Sequence, residues 1–243
     1  MAQESGQQQI RTWIRLPGML CTAEIFTVLD PYLDLGGTDV DTHIRGGTLD
    51  EAAENLLALA RSQEGPVGII GLSLGAIVAM AAMVKGPEAF HAAVLISTTP
   101  RGPRPEQITA WDAMAKQTQN GAFLKVLNGL EPALFAPSQA TTARLNSARA
   151  MAENIGQAPF VEQLGIQTSR RDLRPELPQI CASTLVLAGS KDQLCNREVH
   201  QDIAAGIPNS ELHVLAGQGH LLTLESPAPA ANIINLWNLR RTT

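Results

Sequence analysis

The sequence predicts an α/β fold, a mostly parallel sheet of about six strands flanked by helices and interrupted by a helical insertion. Three observations predict it. Short apolar runs of β type recur along the chain with helical segments between them, the pattern of a parallel sheet covered on both faces. With 243 residues, 44% of them hydrophobic and 17% charged, the chain has the length and composition of one globular domain that needs no disulfide or metal to hold its core. Almost eighty residues between the fourth and fifth runs carry no strand signal, too many for a loop.

The strands are read in order at 11–16 (Arg-Thr-Trp-Ile-Arg-Leu), 40–44 (Val-Asp-Thr-His-Ile), 67–71 (Val-Gly-Ile-Ile-Gly), 92–97 (Ala-Ala-Val-Leu-Ile-Ser), 184–188 (Thr-Leu-Val-Leu-Ala) and 211–215 (Glu-Leu-His-Val-Leu). Helices are expected at 22–34, 49–62, 74–85, 196–206 and 227–240. Two have readable starts: Thr48 can cap with Glu51 three residues on, and Ser226-Pro227 puts proline at a first helical position. Between 101 and 178 the apolar residues, among them Trp111, Phe123, Leu127, Leu130, Leu134, Phe135, Met151 and Phe160, fall at mixed three- and four-residue spacings among prolines and glycines. Residues 1–100 and 179–243 are therefore read as the α/β core and 101–178 as a helical cap insertion, with the Pro/Arg-rich 101–105 segment as its hinge and 174–178 as the return.

Charge and composition exclude several classes of function. The formal net charge is −5 and no block of like charges stands out, so nucleic acid and anionic membrane are poor partners. The longest apolar run, Ala76 to Val84, is nine residues, against roughly 20 needed to cross a bilayer. The segment 1–9 is polar, with neither a basic nor an apolar leader region. Cys21, Cys181 and Cys195 form no C-x-x-C pair, which suits a reduced cytoplasm, and 4% aromatic residues make a base-stacking platform improbable. A monomer or homodimer is expected.

The strongest local signal is Gly71-Leu72-Ser73-Leu74-Gly75, directly after an apolar strand and directly before an alanine-rich helix. A serine at such an elbow takes a strained backbone conformation, and the flanking glycines let neighbouring backbones pass without a Cβ clash. The plainer reading is a glycine-rich turn with an ordinary capping serine. A nucleophilic serine needs a base, and the base an orienting acid. Of five histidines, His220 lies in Gly217-Gln218-Gly219-His220 after the last strand, where an open α/β sheet places its ligands. His43 and His213 fall within expected strands, His91 precedes one, and His200 sits on a helix that reads as solvated. Asp192 emerges after the fifth strand and is favoured as the acid over Asp172 and Asp202, a helix cap or solvated loop acid being its bland alternative. The oxyanion donors would be the backbone N–H of Leu74 and, after the first strand in Leu16-Pro17-Gly18-Met19-Leu20, that of Met19.

With these residues placed, the chain resembles the α/β-hydrolase superfamily from about residue 11 to 237, on GLSLG at 71–75, LVLAGSKD ending at Asp192, GQGH ending at His220, and the LLTLESP stretch that follows. The pattern looks closest to small, cofactor-independent esterase-like members with a helical cap between the sixth and seventh strands of the family fold. The resemblance implies a Ser73–His220–Asp192 triad, hydrolysis of carboxylic esters of small molecules through an acyl-enzyme, and no metal or cofactor. Lactones, thioesters and C–C bonds are the neighbouring chemistries, and a non-enzymatic small-molecule receptor that keeps the triad is the alternative from another class. Two departures stand out. Pro17-Gly18 replaces the His-Gly of most relatives, and fewer than a dozen residues precede the first strand, so the family's first two strands are shortened or missing. The insertion is expected to supply an apolar pocket from Trp111, Phe123, Leu127, Leu130, Leu134 and Phe135, some of these packing the cap's own core instead, and Leu20 to line the pocket from the loop after the first strand. Arg170, Arg171 and Arg174 are read as a solvated or salt-bridged stretch in preference to an anion site.

Overall fold

A computed structural model of the protein describes residues 9–242, so the polar N-terminal stretch lies outside the described residues except for Gln9. The elements run β1 (Thr12–Leu16), α1 (Glu24–Thr27), β2 (Thr38–Asp41), α2 (Leu49–Arg61), β3 (Val67–Leu72), α3 (Leu74–Lys85), β4 (Ala92–Ile96), α4 (Pro105–Gln119), α5 (Phe123–Leu130), α6 (Thr142–Ile155), α7 (Gln157–Thr168), β5 (Ser183–Gly189), α8 (Arg197–Gly206), β6 (Ser210–Leu215), α9 (Leu222–Glu225) and α10 (Pro227–Thr242). The six strands form one parallel sheet in the order β2-β1-β3-β4-β5-β6, with no strand before β1 among the described residues. The long stretch between β4 and β5 is helical, as its mixed spacings predict. Among the described residues no helix is long and apolar enough to cross a membrane.

The two-residue period of the strands divides the core. Ile14, Ile69, Leu95 and Val186 face α2, α3 and α8, while Trp13, Ile70, Val94 and Leu187 face α1 and α10. The face of the first set accepts α3 at close range because its alanines carry little bulk, and every residue of α3 from Leu74 to Val84 is buried. On the other face the Trp13 indole packs against Gly68, where a Cβ would come within 2.4 Å of the ring. Trp13 meets Trp237 of α10 edge-on with centroids 6.5 Å apart, and the Arg241 guanidinium sits 5.8 and 5.7 Å from the two rings, tying the first strand to the last helix. A third, smaller cluster of Phe123, Val126, Leu127, Ala152, Phe160 and Leu164 lies within the insertion.

Two elements differ from expectation. The helix expected at 22–34 is α-helical only over Glu24–Thr27 and continues as turns. Pro31 accounts for this, since it cannot donate to a helical ladder and disfavours helical geometry at Asp30. The second strand lies at Thr38–Asp41 and not 40–44, pairing Thr12 with Thr38 through to Arg15 with Asp41. This edge strand is polar and weakly patterned. Its register is pinned by the buried Arg15, which grips Asp41 with two hydrogen bonds of 2.6 and 2.9 Å and also reaches Asp30 at 2.5 Å and Asp39 at 3.4 Å.

Candidate active site

The site is built at the carboxyl ends of the strands. Ser73 links β3 directly to α3 with φ 51° and ψ −114°, a conformation that costs a non-glycine residue of the order of 1–3 kcal/mol. Neighbouring groups hold it there. The Ser73 N–H donates to the Ile96 carbonyl at 2.8 Å, and the Ser73 carbonyl accepts from the Ile77 N–H and from the Thr98 hydroxyl at 3.1 and 3.0 Å. At Gly75 a Cβ would lie 2.2 Å from the Leu16 carbonyl oxygen, so only glycine lets the start of α3 approach the end of β1.

The structure brings together the three side chains that the sequence picks out. The Ser73 hydroxyl lies 2.9 Å from His220 Nε2, and His220 Nδ1 lies 2.8 Å from Asp192 Oδ2. Asp192 Oδ1 is occupied separately, accepting from the Leu194 and Cys195 N–H groups at 2.8 and 2.9 Å. His220 and Asp192 are buried. Burial works against the Asp192 charge, yet the facing imidazole and the two backbone donors hold its carboxyl below the usual range. Facing a carboxylate, Nδ1 carries the ring proton of neutral His220, leaving Nε2 to accept from the serine hydroxyl. The rival acids are engaged elsewhere, Asp172 with Arg174 and Asp202 with Arg101.

The histidine loop is anchored by a residue that sequence reasoning missed. Glu225, buried at the end of α9, accepts from the Gly219 N–H at 2.5 Å and from the Ala136 N–H at 2.8 Å, joining the loop to the insertion. The loop also lies on β5, where a Cβ on Gly189 would fall 2.2 Å from the Gly219 carbonyl oxygen.

Pro17, Gly18, Met19 and Leu20 cross above Ser73, and a Cβ on Gly18 would come 3.2 Å from that of Ser73. No hydrogen bond within the described residues engages the Met19 or Leu74 N–H. Leu20 has φ 61°, and its N–H donates at 2.9 Å to Oε1 of Gln163, a buried residue of α7. Gln163 is thus a tether from the insertion to this loop, 143 positions away and without any local sequence signal. Gln163→Leu, which removes the acceptor but keeps the bulk, is expected to loosen the 17–20 segment, and faster amide hydrogen exchange at Met19 and Leu20 checks this.

Ser73 and His220 open on a cavity of about 210 Å³. Of the expected lining, Leu20, Trp111, Leu127, Leu130 and Leu134 are present. Phe123 and Phe135 are not. Phe123 packs against Phe160 of α7 with centroids 5.7 Å apart, and Phe135 joins the core beneath the sheet. Both are consumed by internal packing, which spacing alone does not separate from pocket lining. The polar residues Gln107, Glu131, Arg149, Gln167 and Arg170 also line the cavity, so it is less uniformly apolar than expected. A wide depression at the other ends of β1 and β2, lined by residues such as Arg11, Thr38 and Glu64, has no histidine, cysteine or serine among its described lining residues.

His200 departs from its expected solvated setting. It is fully buried, its Nε2 accepts from the Thr98 N–H at 3.0 Å, and its Nδ1 lies 2.9 Å from the Asn196 carbonyl, to which it donates. The helix face carrying it points inward because α8 packs on the sheet. Burial lowers its pKa, so the unfolded chain takes up a proton at a pH where the fold does not. Its contribution to stability is therefore complete above about pH 6.5, the ordinary histidine value, and falls as pH drops towards the lower folded value. Chemical denaturation from pH 7.5 to 5 should show that decline, with a shallower slope for His200→Gln.

Among the described residues one trio offers metal-ligand atoms close together, namely Asp192, Cys195 and His220. The donor set does not suit a metal. Both Asp192 oxygens and His220 Nδ1 are already engaged with one another or with backbone, and burial pushes the Cys195 thiol far above its ordinary value, against the thiolate a metal needs.

A Ser–His–Asp hydrogen-bonded chain with buried His220 and Asp192 at the carboxyl edge of a parallel α/β sheet, opening on a cavity lined in part by a helical insertion, defines the class to which this protein is referred. The chain belongs to the alpha/beta hydrolase family, whose profile matches residues 4–233. It is 26% identical over 208 residues to a 2-hydroxy-6-oxononadienedioate/2-hydroxy-6-oxononatrienedioate hydrolase of Cupriavidus pinatubonensis, an alignment covering 79% of this chain and 65% of that protein. It is 25% identical over 190 residues to a polyketide synthase of Burkholderia thailandensis, covering 72% of this chain and 9% of the synthase. The chain thus spans less than two thirds of the length of either relative. Among solved structures it is similar to a thermophilic esterase from Thermogutta terrifontis (TM-score 0.81, 20% identity, 96% and 91% of the two chains covered). It is also similar to the enol-lactonase from Burkholderia xenovorans (TM-score 0.84, 16% identity, 95% and 92% covered). At these identities the structural likeness concerns the fold.

Proposed function

We propose that the protein is a serine hydrolase that cleaves carboxylic esters of small molecules through an acyl-enzyme intermediate. The observation that carries this reading is the continuous hydrogen-bonded chain from Ser73 through His220 to Asp192. In acylation Ser73 Oγ attacks the ester carbonyl as His220 Nε2 takes its proton, and Asp192 stabilises the resulting imidazolium. The oxyanion is held by the Met19 and Leu74 N–H groups. Collapse of the tetrahedral intermediate breaks the C–O bond, and His220 returns the proton to the leaving alkoxide. Water, activated by the same imidazole, then hydrolyses the acyl-enzyme and restores Ser73.

Pro17 in place of the more usual histidine removes a side-chain contact but leaves these backbone donors. Residues 101–178 act as a cap, a role supported by their share of the cavity lining. The volume of about 210 Å³ is below the roughly 300–1,000 Å³ common for drug-sized ligands and favours a small substrate. Cys21, Cys181 and Cys195 are all free thiols, which supports action in a reducing compartment such as the cytoplasm.

A fluorophosphonate probe tests the reading. One covalent adduct located on Ser73 by peptide mass spectrometry, together with turnover of 4-nitrophenyl esters, is the expected result. Undiminished ester turnover by Ser73→Ala would overturn it.

A further inference from the structure

The three arginines near the end of the insertion are equivalent in sequence and different in space. Arg171 forms a two-bonded pair with Glu176 at 2.9 and 3.0 Å and reaches Asp50 at 3.3 Å. Arg174 grips Asp172 through contacts of 2.5 to 3.0 Å. Arg170 has neither an acidic partner nor a protein acceptor among the described residues. Its Nε is closed off from solvent with nothing to donate to, and its guanidinium carbon lies 5.1 Å from the centre of the Trp111 ring. Its burial lowers its pKa to about 10, which still leaves it charged at neutral pH.

Arg170 also lines the cavity that contains Ser73 and His220. The other arginine there, Arg149, is already hydrogen-bonded to Glu131 and Asn128. Among the described residues Glu131 is the sole acid lining the cavity, and it is paired with Arg149, so Arg170 supplies an uncompensated positive charge there. One turn back along the chain, buried Gln167 lines the same space, and its Oε1 has no partner. Turning this amide over would offer its N–H groups to an anion. Arg170 as a whole is half-buried with its Nε closed off, and a partly desolvated cation without a counter-charge is unfavourable until an anion arrives. The planar guanidinium fork matches a carboxylate, and one cation balances one monoanion more closely than a phosphate dianion.

From this geometry we propose that Arg170, stacked on Trp111 and flanked by Gln167, binds a carboxylate of the substrate, so that the preferred esters carry a free carboxylate besides the bond that is cleaved. The inference rests on the hydrolase reading for its reaction, but not for its binding site. Tested on a matched pair, 4-nitrophenyl hydrogen glutarate and 4-nitrophenyl butyrate, the wild type should favour the anionic ester. The ratio of kcat/KM values, anionic over neutral, should fall at least tenfold in Arg170→Gln and in Arg170→Lys, chiefly through KM for the glutarate. Arg171→Gln, outside the cavity, should leave the ratio unchanged. A ratio that Arg170→Gln does not alter would overturn the proposal.

Binding of monomethyl glutarate, a monoanion, to Ser73→Ala by calorimetry separates this proposal from the hydrolase reading. Saturable binding that is lost in Ser73→Ala/Arg170→Gln would sustain the carboxylate site even if wild type cleaved no ester. Binding unaffected by the second substitution would refute the site even if esters are cleaved. Inorganic phosphate is the competing probe, and equal affinity for phosphate and monomethyl glutarate would overturn the assignment to carboxylate. The melting temperature of Arg170→Gln should equal or exceed that of wild type, and a lower value would mark a structural role.

Discussion

Ser73→Ala should reduce kcat/KM for activated esters by about 10⁴-fold or more while leaving the melting temperature at or above the wild-type value. The two effects share one cause. The substitution removes the atom that would form the acyl-enzyme, so no remaining group supplies a nucleophile aligned with His220 Nε2. Alanine keeps the backbone bonds to Ile96, Ile77 and Thr98, none of which uses the serine hydroxyl, so the elbow persists. Residual activity near the uncatalysed rate with intact substrate binding would agree with this. A variant that retained a tenth of the wild-type kcat/KM would contradict it.

Asp192→Asn should cost about 10⁴-fold in kcat, and the surroundings of Asp192 explain why so small a change is so damaging. Oδ1 accepts from two backbone N–H groups, so the asparagine must keep its carbonyl oxygen on that side. Its NH₂ then faces His220 Nδ1, which must become an acceptor. The ring proton moves to Nε2 and points at Ser73, and the base is lost although every heavy atom stays within reach of its old place. NMR of the ring nitrogens should show the tautomer reversed relative to wild type. A loss under tenfold would mean that another carboxylate orients the histidine.

Much of the sheet was legible because its strands carry local signals. The runs at 67–71 and 92–97 are apolar on both faces, as strands between two helical layers must be. The second strand was displaced because a polar edge strand has little pattern of its own, and the Arg15 cluster that registers it is assembled from three parts of the chain. Ser73, Asp192 and His220 were legible for a similar reason, each standing in a short motif at a strand's carboxyl end. Gln163, Glu225 and the separation of Arg170 from its two neighbours were not. Each depends on which distant group a side chain meets, and nothing in the local spelling of residues 160–174 distinguishes an arginine that finds a glutamate from one that finds only Trp111. Phe123 failed as a lining residue on the same grounds, since an apolar helix stripe does not announce which neighbour it will face.

The Gln163 tether has a consequence for attempts to redesign substrate scope. Caps of this kind invite treatment as exchangeable parts, to be shortened or replaced while the sheet below is left alone. Here the hydrogen bond from Leu20 to Gln163 makes the insertion a structural support for the segment that carries the Met19 amide. If the proposed hydrolase reading holds, a transplanted cap that lacks an acceptor at that point would change the pocket and loosen the Met19 segment in the same step, so selectivity and rate would not be independently adjustable across this joint.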